Sequence, residues 1–179
     1  MSLRIALALG MLATPLTAPA SAQDDAAQAM INDPNPAFFQ VWGVTPAPKS
    51  VKDDSVQGGR SVHVPVTGTG NPWDISVNVA ITKPIRAGDR LVLMYYAKLE
   101  KPAAGETTAR VTGQLQVKTA PYPVVIGSTV DVPQEWKLFT VEGRADKDYA
   151  AGTLNATFHL NQGKHTIAMG LVAAFDYGK

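Results

Sequence analysis

Short stretches of alternating apolar and polar residues, separated by glycine- and proline-rich turns, constrain the fold of this chain most strongly. In residues 73–82, apolar side chains at the odd positions alternate with small, mostly polar ones at the even positions. Successive side chains of a β-strand point to opposite faces, so this segment predicts a strand with one apolar and one polar face. No segment carries a long stripe with the helical period of about 3.6 residues.

The same pattern recurs along the chain and predicts its fold class. We expect strands over residues 37–42, 61–66, 73–82, 90–99, 109–118, 124–130, 136–143, 153–160 and 165–175. The connecting segments contain turn residues, as in Gly58–Gly59 and Gly68–Pro72. Many short strands joined by such turns predict an all-β fold, a two-sheet antiparallel β-sandwich or jelly roll.

The N-terminal 22 residues have the features of a secretory signal peptide. Arg4 supplies the positive charge, residues 5–16 form an apolar run, and Ala20-Ser21-Ala22 is a small-residue cleavage site. We therefore expect cleavage near Ala22 and export to the periplasm or the extracellular space. A flexible lead-in over residues 23–34 and a single domain over residues 35–179 would follow. The apolar run is too short to span a membrane, and we expect no membrane partner.

Charge and cysteine content exclude further classes of function. Without Arg4, the 16 basic residues of the chain become 15, which equals the 15 acidic residues. No basic stripe is present, so nucleic acid is not an expected partner. The chain has no cysteine, which excludes disulfides and thiol chemistry.

Motifs for catalysis are also missing from the sequence. No serine lies in a G-x-S-x-G turn, and His63, His159 and His165 do not have the spacing of a metal site. A carboxylate pair assembled in space stays open, but acidic residues are sparse on the polar strand faces. We therefore expect no enzyme.

Three predicted strands have polar faces made of hydroxyls, amides and an imidazole. The residues on these faces are Asp74, Ser76 and Asn78, then Arg110, Thr112, Gln114 and Gln116, and then Asn155, Thr157 and His159. Such groups both donate and accept hydrogen bonds, as recognition of sugar hydroxyls requires. The alternative is that these are solvated faces of an antiparallel sheet, although long charged side chains are few.

Aromatic residues are the second element of sugar recognition, because a flat ring covers the apolar face of a pyranose. Tyr122 lies between Pro121 and Pro123, so we expect either a preorganised stacking ring or a side chain that seals the end of the core. Trp73 is in phase with the apolar face and is expected in the core. For Trp42 we favour burial.

Several motifs together resemble the carbohydrate-binding modules of the CenC type, families 4, 9 and 22. The similarity covers most of the chain from Asn35 onward and depends on the order and spacing of the motifs. They are Gln57–Val64, Asn71–Asp74, Pro84–Leu91, Tyr95–Lys98, Pro121–Tyr122, Glu135–Lys137, Thr166–Gly170 and Asp176–Gly178.

The resemblance implies a jelly roll of the galactose-binding-domain type, in which the strands beginning near Trp73, Thr153, Ala109 and Val124 share one sheet. The three polar faces would then lie side by side in a glycan cleft. The implied function is that of a non-catalytic, exported module that binds a polysaccharide or oligosaccharide, with a β-glycan as the expected ligand. The alternative is an exported structural or protein-interaction domain without glycan binding.

The resemblance also has implications for cofactors and partners. It requires no cofactor but allows a structural calcium near the two chain ends, with Asp176 and Gln40 as ligands. Gln40 stands where the family often has an acidic residue, and Asp53 or Asp54 are further candidates. Since such modules usually accompany a catalytic domain, a glycan-active enzyme is an expected partner.

Overall fold

The strands of the protein form two antiparallel five-stranded sheets, in a computed structural model that describes residues 27–179. The strands are β1 (Gln40–Trp42), β2 (Val51–Lys52), β3 (Arg60–Val66), β4 (Ser76–Ala80), β5 (Arg90–Lys101), β6 (Thr108–Val117), β7 (Val124–Pro133), β8 (Lys137–Arg144), β9 (Leu154–His159) and β10 (His165–Asp176). Short 3-10 helices span Pro36–Phe38 and Pro72–Asp74. The first sheet has the order β1-β4-β9-β6-β7, and the second has the order β2-β3-β10-β5-β8.

This architecture confirms the predicted all-β jelly roll. Each of the nine predicted segments contains a strand, and only the two-residue β2 was not expected. The four strands expected to share one sheet are β4, β9, β6 and β7, and they are neighbours in the first sheet. None of the helices in residues 27–179 has the length and apolar character of a membrane span.

The segment before β1 is attached to both sheets. Met30 forms a β-bridge with Phe175, and Asn32 forms one with Ile81. The predicted signal peptide, and residues 23–26 of the predicted lead-in, lie outside the described residues.

The core lies between the sheets and is built from the apolar faces that the alternation predicts. At its centre, the buried Tyr95 stacks on Phe139 with ring centroids 5.4 Å apart and meets the edge of Phe158 at 4.7 Å. Gly113 of β6 makes room for these rings, because a Cβ there would lie 3.0 Å from the Tyr95 ring and 3.1 Å from Phe158. A closely packed aromatic cluster thus joins β5, β6, β8 and β9.

Tyr95→Phe is expected to stabilise the fold. The Tyr95 hydroxyl is buried without a hydrogen-bond partner among the described residues, and a buried, unsatisfied polar group costs about 1–3 kcal/mol. Urea unfolding should therefore give a higher free energy of unfolding for Tyr95→Phe, by about 1 kcal/mol. A loss of stability instead would mean that the hydroxyl is hydrogen-bonded in solution.

Candidate binding groove

A groove with a volume of about 900 Å³ lies on the outer face of the first sheet. Its floor consists of polar side chains from four strands, and aromatic side chains stand at its edges. The lining residues are Gln40, Trp42, Gly43, Trp73, Asp74, Ser76, Asn78, Gln114, Gln116, Lys118, Pro121, Tyr122, Val124, Asn155, Thr157 and His159.

The register of the first sheet arranges the floor in rows across the strands. The central row crosses all five strands in the order Gln40, Asn78, Thr157, Gln114 and Gly127. Residues that pair directly across antiparallel strands point to the same side of the sheet. The row therefore presents three amides and a hydroxyl side by side, and it ends at a residue without a side chain.

Hydrogen bonds between neighbouring floor residues orient their amide groups. The Thr157 hydroxyl donates to Asn78 Oδ1 at 2.7 Å, and the Gln114 Nε2 group donates to Gln116 Oε1. Within residues 27–179, the opposite ends of these amides, Asn78 Nδ2, Gln116 Nε2 and Gln114 Oε1, make no hydrogen bond. The floor therefore offers both donors and an acceptor to a molecule in the groove.

His159 lies in the adjacent row, between Ser76 and Thr112. Burial lowers the pKa of its imidazole, so the ring is neutral at pH 7 and has one donor and one acceptor. Its ring meets the edge of Trp73, with centroids 6.3 Å apart and planes at 65°. The floor at this point is therefore uncharged and continuous with an aromatic side chain at the edge.

Trp73 was expected in the core, and this prediction was wrong because β4 begins only at Ser76. The 3-10 helix Pro72–Asp74 interrupts the extended backbone, and the Asp74 carboxylate accepts a hydrogen bond of 2.7 Å from the Asn71 amide at the helix start. Trp73 is therefore out of phase with β4 and is 59% exposed. The sequence contains a signal for this helix start, an Asn-Pro pair with an acidic residue three positions after the Asn.

Trp42 was expected to be buried, and it is 62% exposed at the end of β1. The next residue, Gly43, has a φ of 80°, and a Cβ there would overlap the carbonyl oxygen of Asp74. Only glycine fits such a close approach. The backbone following Trp42 therefore lies directly against the backbone following Trp73, which brings both tryptophans to the same side of the groove.

Tyr122 stands at the other side, in the connection between β6 and β7, and is 55% exposed. Its φ of 57° is in the left-handed region, which costs a non-glycine residue about 1–2 kcal/mol. The Tyr122 amide donates a hydrogen bond of 2.8 Å to the Thr119 carbonyl, which holds the turn. A strained residue with an exposed ring in a groove is a candidate for ligand contact.

Of the eleven predicted ligand-binding residues, nine line the groove. The two others, Arg110 and Thr112, lie beyond it on the same sheet, where the Thr112 hydroxyl is 2.8 Å from that of Thr129. Groove residues that the sequence reasoning missed include Lys118, an exposed cation at the end of β6. No local pattern distinguishes this lysine from one on a solvated face.

The predicted calcium ligands Gln40 and Asp176 lie on strands of different sheets. Gln40 lines the groove of the first sheet, whereas Asp176 ends β10 in the second sheet, where its carboxylate accepts from the Gly178 amide at 2.9 Å. Asp53 is bonded to the hydroxyls of Ser55 and Ser61. Residues 27–179 contain no cluster of three or more His, Cys, Asp or Glu side chains suited to a metal. The structural calcium stays a prediction of the sequence resemblance.

The second sheet carries a serine, a histidine and a glutamate in the order of a hydrolase triad. Ser61 Oγ lies 2.8 Å from His63 Nε2, and His63 Nδ1 lies 2.6 Å from Glu100 Oε2. Ser61 and His63 are two apart on β3, so an S-x-H pair on a predicted strand was the available signal. The distances between these three side chains match those of a hydrolase triad, but the surroundings of Ser61 differ from those of a catalytic serine.

Two features make Ser61 unsuited to nucleophilic attack. The residue is fully buried, and its hydroxyl is 2.9 Å from Asp53 Oδ2. The hydrogen bond from the Ser55 hydroxyl is the main cause of a lowered pKa at Asp53. The Asp53 carboxylate is therefore ionised and only accepts hydrogen bonds. The Ser61 hydroxyl donates its single proton to Asp53, so this proton is not directed at His63 Nε2. This network holds the loop of residues 53–59.

Comparisons with solved structures agree with the fold described above. A CBM4 structure aligns with a TM-score of 0.60 and 19% identity, over 79% of this chain and 96% of its own. The N-terminal cellulose-binding domain of Cellulomonas fimi β-1,4-glucanase C aligns with a TM-score of 0.60 and 19% identity, over 84% and 96% of the two chains. The CBM22-1 xylan-binding domain of Paenibacillus barcinonensis Xyn10C gives 0.54 and 11%, over 84% and 93%.

These likenesses show that the chain has the jelly-roll fold of carbohydrate-binding modules, as the sequence motifs imply. No family model and no curated protein matches the sequence.

Stability is expected to fall as the pH decreases from about 7 to about 5. Burial lowers the pKa of both His159 and His165 in the folded protein. At these two histidines the unfolded chain therefore binds more protons than the folded one in this range, and acid favours unfolding.

Two substitutions test this assignment. His159→Gln and His165→Leu should each reduce the decrease of the urea midpoint between the two pH values, and the double variant should reduce it further. An unchanged decrease in the double variant would assign it to other groups.

Proposed function

We propose that the protein binds a polysaccharide chain in the groove of the first sheet. The observation that carries this proposal is a floor of neutral amides and hydroxyls between exposed rings, with Trp42 and Trp73 on one side and Tyr122 on the other. A sugar ring has an apolar face and a rim of hydroxyls, and these two surfaces need the two kinds of side chain.

The charge of the groove favours a largely neutral glycan. Asp74 and Lys118 are the charged lining residues, and one Asp74 oxygen is already bonded to the Asn71 amide. Burial keeps His159 neutral at pH 7. The remaining polar atoms match hydroxyl groups, which also donate and accept.

The ligand class that we propose is a β-linked glycan. Two of the solved structures with this fold are described as cellulose-binding and xylan-binding domains. Their ligands are β-linked chains of pyranose rings, whose flat, extended form suits a groove that crosses the strands.

We further propose that the protein is not an enzyme and acts beside a glycan-active partner. The buried Ser61 with its proton directed to Asp53 supports this proposal, since the triad-like chain lacks an accessible nucleophile. A binding module without chemistry of its own would serve by holding an enzyme near its polymeric substrate, which raises the effective concentration of that substrate.

Calorimetry with soluble xylan, cellohexaose, mixed-linkage glucan and mannan tests the proposed function. At least one should bind, and Trp73→Ala or Tyr122→Ala should weaken it roughly tenfold, since each removes an aromatic stacking surface. Trp136→Ala is the control, because Trp136 bonds to Ser55 outside the groove and its loss should leave the affinity unchanged.

Two outcomes of this experiment would contradict the proposal. The first is that none of the four glycans binds the intact protein, and the second is that Gln114→Ala/Gln116→Ala binds as tightly as the unchanged protein. New reducing ends after incubation with the bound glycan would contradict the absence of catalysis.

We also propose that the protein is exported after removal of residues 1–22. The support is the leader-like sequence that ends at Ala22. Mass spectrometry of protein recovered outside the cytoplasm of a bacterial host should give a chain that begins at Gln23. Recovery of the full 179 residues in the cytoplasm alone would contradict this.

A further inference from the structure

Asn161 has a buried side-chain amide and lies two residues after the end of β9. Its Oδ1 accepts from the Gly68 amide at 2.9 Å, and its Nδ2 donates to the carbonyls of Thr69 at 2.5 Å and Asn71 at 3.1 Å. The Asn161 backbone amide also donates to the Pro72 carbonyl at 3.1 Å. One residue therefore binds the backbone of residues 68–72 at four points.

The bound segment leads directly to Trp73. Gly68 and Gly70 have φ values of 70° and 88°, so this segment is not a strand and has no ladder of its own. Trp73 is more than half exposed, and His159 is the aromatic ring that it meets. Its place in the groove depends on the backbone that precedes it.

The side chain of Asn161 has no hydrogen-bonding capacity left for a ligand. Both amide hydrogens are used within the protein, the carbonyl oxygen accepts from the Gly68 amide and from the Thr67 hydroxyl at 3.4 Å, and the residue does not line the groove. A fully satisfied, buried amide restricts a loop to one geometry, and its loss removes the partner of one backbone amide and two backbone carbonyls in residues 68–71.

We propose that Asn161 is the positioning residue of Trp73: it holds residues 68–72 so that the tryptophan ring stands at the edge of the groove. The inference rests on the proposed function, because the position of Trp73 matters for binding only when the groove takes a glycan. Asn161 itself does not touch the ligand.

The chain contains a matched control for this role. Asn32 is also buried, accepts from the Ala174 amide at 2.7 Å, and donates to the carbonyls of Val172 at 2.9 Å and Asp33 at 2.8 Å. It joins the N-terminal segment to β10 in the second sheet, away from the groove. Asn32→Ala therefore removes a comparable buried amide without a change at Trp73.

The first experiment is a double-mutant cycle, measured by calorimetry with whichever of soluble xylan or cellohexaose the unchanged protein binds. Asn161→Ala should weaken binding roughly tenfold, as Trp73→Ala does, and Asn32→Ala should change it less than about twofold. In the Trp73→Ala background, Asn161→Ala should have no further effect, since residues that act through one group are not additive. Full additivity, or an equal loss with Asn32→Ala, would overturn the proposal.

The second experiment needs no ligand and separates this proposal from the proposed function. In a Trp42→Phe/Trp136→Phe background, Trp73 is the only tryptophan and reports its own mobility through fluorescence anisotropy. Asn161→Ala should lower the anisotropy, and Asn32→Ala should leave it unchanged. An unchanged signal with Asn161→Ala would overturn the positioning role even if glycans bind, whereas a lowered signal would support it even if none of the tested glycans does.

Discussion

The pairing of β9 with β4 on one side and with β6 on the other is the constraint on which the groove depends. Because side chains alternate along a strand, this register places one set between the sheets and the other in the groove. A slip by one residue would exchange the two sets and bury amides such as Asn78 in an apolar core. The apolar faces that hold the sandwich together therefore also determine which polar groups a ligand meets.

Strand faces and their grouping were predictable from the sequence, because both depend on simple periodicity and on motif order. The buried set Val77, Val79 and Ile81 and the groove residues Ser76 and Asn78 follow from alternation along one segment. That β4, β9, β6 and β7 share a sheet came from the family resemblance, since no local pattern specifies which strands pair.

The tryptophan side of the groove was not predictable in the same way, because it depends on local departures from the extended chain and on distant contacts. Pro72 starts a 3-10 helix and reverses the expected side for Trp73. Trp42 is placed by the close approach of Gly43 to Asp74, which is 31 residues away in the sequence. The contacts between Asn161 and Thr69 join residues 92 apart, and single-chain patterns do not indicate such pairs. The position of the two tryptophans thus depends on tertiary contacts, whereas the amide floor follows from the strand pattern.

At Tyr122, the backbone conformation that places the ring in the groove also lowers the stability of the fold. A glycine would adopt the same φ without the steric cost, so Tyr122→Gly removes strain and also removes one side of the groove. Exposed tryptophans are likewise common targets when a protein is engineered for solubility. Engineering guided by folding energy or solubility alone would therefore select changes at residues 42, 73 and 122. The product would be a more stable or more soluble β-sandwich that lacks the aromatic rings of the groove.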